Sequence, residues 1–190
     1  MTTAVNTTLR WTSADLAAFP DNGKRYEIVD GELYVSKQPH WHHQKACMNI
    51  LLLLQTWSRQ SGLGTAAMAP GLIFAEDNDV APDVVWISRR QLQTALEEDG
   101  KLHSAPELVV EVVSRGFENE RRDREVKLKL YSRRGVSEYW IADWWNEKIE
   151  VFQRQNSELQ LVATLFSNDV LSSPLLPNFH CEVRELFAGI

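Results

Sequence analysis

Two carboxylates in otherwise apolar segments are the residues of this sequence best placed to do chemistry. Glu111 lies in the middle of ELVVEVVS, residues 107–114, where β-branched neighbours predict a strand buried on both faces. Asp83 follows Pro82 and precedes the apolar segment VVWI, residues 84–87. A buried carboxylate without a partner costs several kcal/mol. Each acid must therefore be neutralised, paired with a cationic side chain, or bound to a metal ion.

The two acids can serve one metal ion if their strands are neighbours in a sheet. Neighbouring strands lie about 4.8 Å apart, so Asp83 and Glu111 can converge on a single divalent cation. The alternative is that Asp83 caps the end of a strand while Glu111 forms an ion pair with an arginine. Both arrangements satisfy the carboxylates, so the choice depends on the groups that accompany them.

A charged helix predicted over residues 119–134 orients one lysine toward the core. On a wheel of 100° per residue with Val126 at zero, Leu130 lies at about 40° and Lys127 at about 100°. Asp123 lies at about 60°, which favours an ion pair between Asp123 and Lys127. A catalytic lysine that faces the two acids is the other interpretation. The wheel assigns the solvent side to Arg121, Arg122, Glu125, Lys129 and Arg133.

Alternation and capping patterns predict the elements that must position these residues. Thr12 and Asp15 form a helix-capping pattern, and Pro20 ends that first helix. Further patterns predict a hairpin over 25–36 with an Asp30-Gly31 turn, a long helix over 42–60, strands over 71–77 and 83–88 separated by a polar turn over 77–82, a surface helix over 88–98, and strands over 137–143, 148–155, 158–166 and 179–183. With the buried strand and the charged helix, this order predicts a mixed α/β domain with a central sheet.

Composition limits the fold and the classes of function. With 190 residues and 44% hydrophobic content, the chain suits a single domain over residues 1–190 with a sizeable core. A net charge of −6 argues against a broadly basic protein that coats nucleic acid, and it predicts weak DNA binding through a local basic patch. The two cysteines and the start MTTAVNTTLR, which lacks a secretory signal, predict a cytoplasmic protein. The longest apolar segment, residues 49–57, is too short to span a membrane.

The order of several motifs resembles a known family. Pro82-Asp83, the acid in VVEVVS, and DREVKLKLYSRRGVSEYWIAD over residues 123–143 resemble the Uma2 family, also called DUF820, a branch of the PD-(D/E)XK restriction-endonuclease-like nucleases. The same family has counterparts of FPDNGKRYEIVDGELY over 19–34, of Pro39 with His43 and Gln44, and of LLPNFHCEVRELF over 175–187. The resemblance covers nearly the whole chain, and the order of the motifs makes it specific.

The resemblance implies a restriction-endonuclease-like core, in which a central mixed β-sheet is flanked by helices and followed by an antiparallel C-terminal extension. It implies that Asp83, Glu111 and the backbone carbonyl of Val112 bind Mg²⁺ or Mn²⁺. The implied activity is metal-dependent hydrolysis of phosphodiester bonds in DNA. One alternative is a module that binds nucleic acid or protein and keeps the fold without turnover. Another is an enzyme that acts on a different phosphate ester.

One position departs from the superfamily pattern. The catalytic lysine of the superfamily normally lies two residues after the acid, where this chain has Val113. In Uma2-like sequences the lysine lies on the following helix, which makes Lys127 the candidate in this chain. The same D-x-x-x-K-x-x-x-Y motif makes Asp123 and Tyr131 accessory residues.

His43 and Glu27 are further accessory candidates by resemblance. His43 either orients an acid or binds a phosphate, or it is an ordinary histidine at a helix start. Glu27 either approaches the acids or is an exposed carboxylate of the hairpin, and the exposed position is the favoured interpretation. A zinc site at His40 and His43 has little support, because it would need a nearby cysteine or a histidine at the next turn.

Basic and aromatic residues extend the candidate site. Arg124 and Arg134 are candidates for binding DNA phosphates, although charged residues on a helix also form ordinary solvated faces. Trp144 and Trp145 are candidates for contact with a substrate or a second subunit. We expect a homodimer, because two sites about a twofold axis can cut both strands of a duplex and the tryptophan pair offers an apolar patch.

Overall fold

The computed structural model describes residues 9–190, whose strands form two larger sheets and one two-stranded ribbon. In chain order the strands are β1 (Arg25–Val29), β2 (Glu32–Ser36), β3 (Gly64–Met68), β4 (Leu72–Ala75), β5 (Asn78–Val80), β6 (Val84–Ser88), β7 (Leu108–Val112), β8 (Glu138–Asp143), β9 (Lys148–Gln155), β10 (Glu158–Phe166), β11 (Val170–Ser172) and β12 (His180–Glu182). The helices are α1 (Ser13–Leu16), α2 (Trp41–Ser61), α3 (Arg89–Ala95), α4 (Phe117–Arg121), α5 (Leu128–Arg134) and α6 (Val183–Leu186), and a π-helical segment (Arg122–Lys127) joins α4 to α5.

The central sheet has six strands in the order β10-β9-β8-β7-β6-β3. Its β7-β8 pair is parallel, and its other neighbouring strands are antiparallel. Parallel neighbours need a crossover connection, and here α4, the π-helical segment and α5 provide it. The predicted mixed α/β fold is confirmed, with helices flanking a mixed central sheet. The antiparallel β9-β10 pair forms the predicted C-terminal extension.

Alternating residues of β7 divide the core between the two faces of this sheet. Val110 and Val112 pack in the cluster that contains Ile50 of α2. Val109 packs in the other cluster, with Leu130 of α5. Glu111 shares the Val109 face of the strand, so it lies beneath the crossover helix.

Three elements differ from the sequence-based predictions. The first helix ends at Leu16, because the Ala18 N–H donates to the Asp15 carbonyl in an i→i+3 turn that does not continue the helix. The segment predicted as a polar turn contains β5, which is buried and whose Asn78 side chain accepts a hydrogen bond from the Asp30 N–H. The charged helix is not a continuous α-helix, since it widens into the π-helical segment at Arg122.

The helices of residues 9–190 include none with both the length and the apolar character that crossing a membrane requires.

Candidate active site

Strand register brings the two acids to the same end of the β6-β7 pair. Val84 pairs with Val110 in this antiparallel ladder, so the next residues, Asp83 and Glu111, lie opposite each other. Both side chains are buried, with 5% of Asp83 and 2% of Glu111 exposed. Two ionised carboxylates that lie opposite each other in a buried site repel each other unless other groups balance their charge.

Asp83 is surrounded by hydrogen-bond donors. Its Oδ1 accepts from Arg25 at 3.0 Å, and its Oδ2 accepts from the Val112 N–H at 2.9 Å. His43 Nε2 lies 3.2 Å from the same Oδ2. Burial raises the pKa of Asp83, but the hydrogen bond from His43 and the charges of Arg25 and Lys127 outweigh burial and hold this pKa well below its usual range. Asp83 is therefore ionised.

Glu111 is held by a lysine and a tyrosine. Its Oε1 accepts hydrogen bonds from Lys127 Nζ at 2.9 Å and from the Tyr131 hydroxyl at 2.8 Å. The alternative in which an arginine pairs with Glu111 is therefore wrong. The pKa of Glu111 is raised to about 8, mainly by burial. The positive charge of Lys127 only partly offsets this effect, and the negative charge of Asp83 adds to it.

Lys127 lies fully inside this site rather than at the edge of its helix. Only 1% of the residue is exposed, and Nζ lies 2.8 Å from Glu27 Oε1 as well as 2.9 Å from Glu111 Oε1. Burial lowers the pKa of Lys127, but the negative charges of Glu111 and Glu27 raise it by more than burial lowers it. The pKa therefore lies above its usual value, and the ammonium stays charged. Asp123 pairs with Arg122 at 3.2 Å instead of closing the expected ion pair with the lysine. Lys129 is exposed, as predicted.

Glu27 is buried, which corrects the favoured prediction of an exposed hairpin carboxylate. Only 1% of the residue is exposed, because the Ala81 segment and the crossover helix cover this face of β1. Its Oε1 accepts from the Ala81 N–H at 3.0 Å, while its buried Oε2 accepts no hydrogen bond from the described residues. Glu27 therefore belongs to the site as a partner of Lys127.

Arg122 also lies in the site, although the helical wheel places it toward solvent. Its side chain is 13% exposed and donates to Ser36 Oγ at 2.6 Å and to Asp123 Oδ1 at 3.2 Å. The i→i+5 hydrogen bonds of a π-helix change the angle between successive side chains, so a wheel of 100° per residue fails at this point.

The buried charges of the site do not balance. Four carboxylates stand against three permanent cations, which leaves one negative charge in excess while the imidazole of His43, beside Asp83, is neutral. The carboxylates are Glu27, Asp83, Glu111 and Asp123, and the cations are Arg25, Arg122 and Lys127. A buried site of this kind takes up a proton or a cation. Burial raises the pKa of Glu111 and that of Asp123, so these two carboxyls favour a proton when no cation is present.

Two sets of donor atoms meet at Asp83. One set consists of the oxygens of Asp83 and Glu111. The other set combines Asp83 with His43 and Cys47, whose ligand atoms lie within 4.8 Å of one another. A thiol binds metal as the thiolate, and burial raises the pKa of Cys47 well above its usual range, which disfavours the thiolate in the metal-free site. An oxygen set suits hard divalent cations, whereas a set with histidine and thiolate suits softer ones.

A cleft of about 780 Å³ opens from the acids to the solvent. Asp83 and Glu111 are its acidic lining residues, whereas five basic side chains also line it. These are Lys24, Arg25, Lys37, Arg115 and Arg122. The cleft therefore combines an acidic floor with basic walls, in a chain whose net charge is −6.

The predicted phosphate-binding arginines lie elsewhere. Arg124 forms an ion pair with Glu150 and lies 3.7 Å from Asp143, and Arg134 stacks over Phe74. Neither arginine lines the cleft. The structure thus brings Asp83, Glu111, Lys127, His43, Glu27, Asp123 and Tyr131 together, but it leaves Arg124 and Arg134 outside.

Known proteins share the sequence pattern and the fold of this chain. Residues 13–184 match the Uma2 family, whose description is "Putative restriction endonuclease". The chain belongs to the Uma2 family. It shares its fold with a solved structure from Anabaena variabilis described as "a putative nuclease belonging to DUF820", at a TM-score of 0.73 and 15% identity over 93% of this chain and 97% of that chain. No curated protein matches this Uma2 chain.

Sequence reasoning missed three contacts in this Uma2 site, and two of them had a signal. Arg25 lies two residues before Glu27 on β1, so the two side chains share a face of the strand. Cys47 lies four residues after His43 on α2, so it occupies the next turn of the helix, where no cysteine was expected. Arg122 had no such signal, because the sequence does not reveal the π-helical segment.

Proposed function

We propose that this Uma2 protein is a metal-dependent endonuclease that hydrolyses phosphodiester bonds in DNA. The observation that carries the proposal is the cleft with an acidic floor and basic walls. Basic walls bind the phosphates of a nucleic acid strand, and an excess negative charge on the floor binds a divalent cation. The nuclease descriptions of the family and of the Anabaena structure support the same function.

We propose Mg²⁺, or Mn²⁺ in its place, as the ion, held by Asp83, Glu111 and the Val112 carbonyl. Such an ion supplies Lewis-acid stabilisation of the phosphate and lowers the pKa of a bound water. Tyr131 and Lys127 both bind Oε1 of Glu111, and Oε2 accepts no hydrogen bond from the described residues, which leaves that oxygen for the ion.

The side chains around the acids have separate roles in this proposal. Lys127 keeps a positive charge beside Glu111, where it stabilises the negative charge that develops on the phosphate in the transition state. Glu27 holds the ammonium in place from the other side. His43 orients Asp83 through Oδ2. Asp123 holds Arg122, which lines the cleft and can bind a phosphate.

Nicking of supercoiled DNA tests the proposal. The purified protein should nick the plasmid with Mg²⁺ or Mn²⁺ and should stop when EDTA is added. DNA binding without metal-dependent cleavage would instead support a module that keeps the fold without turnover. The ion pair between Arg25 and Asp83 favours that second candidate, since a guanidinium already neutralises one of the two acids.

Binding of Mn²⁺ should strengthen as the pH rises toward about 8, the pKa of Glu111. Below this pKa an ion that binds Glu111 must displace a proton, so Kd should fall about tenfold per pH unit and level off above it. Isothermal titration calorimetry between about pH 6 and 9 measures this slope. His43→Gln is the control, because the glutamine amide can still donate a hydrogen bond to Asp83, and the variant should keep the slope. A Kd that is independent of pH would contradict the role of Glu111.

We also propose that the protein forms a homodimer, although not through the tryptophan pair. Trp144 is buried, and Arg115 lies over Trp145, so the expected apolar patch is absent from this part of the described chain. The exposed side of α2 offers another surface, because Trp41, Met48 and Leu52 form an apolar stripe along it. Light scattering at micromolar concentration should report a dimer, and Leu52→Lys should shift it to a monomer. A wild-type monomer would contradict the proposal.

A further inference from the structure

We propose that the cleft binds an unpaired DNA strand, with one base stacked on an aromatic wall beside the acids. The aromatic wall consists of His40, Trp144 and Trp145. This inference rests on the proposed nuclease function and specifies its substrate class. The preferred substrate is then single-stranded or locally unpaired DNA, and not a regular duplex.

The depth of the acids is the first observation. Asp83 and Glu111 are only 5% and 2% exposed, so a scissile phosphate must enter the cleft to reach them. The cleft volume of about 780 Å³ lies in the range of pockets that enclose small ligands. A phosphate in a regular duplex is tied to paired and stacked neighbours, which cannot follow it into such a pocket. Enzymes that do chemistry on a buried base take single strands or extruded nucleotides for a comparable reason.

The aromatic wall is the second observation. The His40 ring stacks on Trp144 with an interplanar angle of 12°, and Trp145 lies next to Trp144 with ring centroids 4.8 Å apart. Trp145 is 49% exposed, and both tryptophans line the cleft. Aromatic side chains beside a backbone-binding groove are typical of proteins that bind single strands, since every base has a face that stacks.

Hydrogen bonds fix this wall relative to the acids. Trp144 Nε1 donates to the Val113 carbonyl at 3.1 Å, two residues after Glu111. Asp143 Oδ1 accepts from the Trp145 N–H at 3.1 Å, which orders the loop that carries the ring. A base on Trp145 would therefore be held at a fixed position with respect to the acids, and its phosphate would be directed toward them.

The basic lining completes the match to a single strand. Arg115 covers one face of the Trp145 ring, so a base reaches this face by displacing the guanidinium or by stacking on it. Lys24 and Lys37 line the same cleft. These side chains can bind the phosphates that flank a stacked base. Arginine over an aromatic ring also adds a cation–π contribution to stacking platforms of this kind.

Fluorescence anisotropy with labelled oligothymidylate and with a duplex of equal length tests the inference, with Ca²⁺ in place of Mg²⁺ to suppress turnover. The single strand should bind about 10-fold more tightly than the duplex. Trp145→Ala should weaken single-strand binding about 10-fold, a loss of ~1.4 kcal/mol, and Trp145→Phe should restore most of it. Duplex binding should not change in either variant.

Phe166→Ala is the matched control, because Phe166 is also an exposed aromatic residue, at 55%, but does not line the cleft. Equal affinity for the two DNAs, no measurable binding of either, or an unchanged affinity in Trp145→Ala would each overturn the inference. Metal-dependent cleavage of duplex as fast as of single strand would also overturn it and leave the nuclease function intact. Absence of cleavage on every DNA, with single-strand preference retained, would instead reject the nuclease function.

Discussion

Replacing Lys127 with methionine should slow metal-dependent cleavage by about 10²–10³-fold and lower the free energy of unfolding by about 3–5 kcal/mol. The activity falls because the ammonium no longer stabilises charge on the scissile phosphate. The stability falls because Glu27 and Glu111, both buried, lose the cation that lies 2.8 and 2.9 Å from their carboxylates. Plasmid nicking and urea unfolding measure the two effects.

A double variant separates catalysis from stability. Glu27→Gln combined with Lys127→Met removes one orphaned carboxylate, so it should recover part of the lost stability but none of the activity. Lys129→Met is the control on the same helix, since Lys129 points to solvent and should change neither quantity. If the double variant regained wild-type cleavage, the role of Lys127 would be structural, and the assignment would be wrong.

Local patterns were sufficient to predict where the acids meet. The apolar segments around Asp83 and Glu111 predict buried strands that can be neighbours in a sheet. In the structure these strands are β6 and β7, and their register places the two acids opposite each other. The charged helix was also predictable, because Val126 and Leu130 mark a side that packs on the core. Each of these features depends on residues that are close in sequence or that share a simple period.

The contacts that balance the charges were not predictable in the same way. Glu27 looks like a solvent-facing residue because Tyr26 and Ile28 alternate with it, but distant segments cover both faces of β1. Burial of a strand on both faces depends on tertiary packing, which alternation does not encode. Arg122 requires the π-helical segment, which no residue pattern signals.

The placement of Arg25 shows why the site must be treated as one network. Arg25 lies on β1, His43 on α2 and the Val112 N–H on β7, and all three bind Asp83. These elements are distant in sequence and converge only in the folded chain. The charge of each group therefore depends on partners that a sequence motif does not contain.

Replacing Asp83 with asparagine should lower metal affinity and cleavage more than any other single substitution in the site. The variant keeps the size of the side chain but removes the ionised carboxylate, so the affinity for Mn²⁺ should fall at least about 100-fold and cleavage about 10³-fold. Arg25 and His43 would also lose the negative charge that they face. Calorimetry and plasmid nicking measure the two losses.

Asp79→Asn provides the matched control for this last experiment. Asp79 is also a buried aspartate, 6% exposed, but it lies on β5 beside Lys101 and does not line the cleft. Its replacement should leave metal affinity and cleavage within about twofold of wild type, since surface and structural positions outside a site change binding little. If Asp83→Asn retained wild-type affinity for Mn²⁺, the ion would not bind at the end of the β6-β7 pair. The excess negative charge of the site would then be balanced by a proton on one of its buried carboxyls, Glu111 or Asp123.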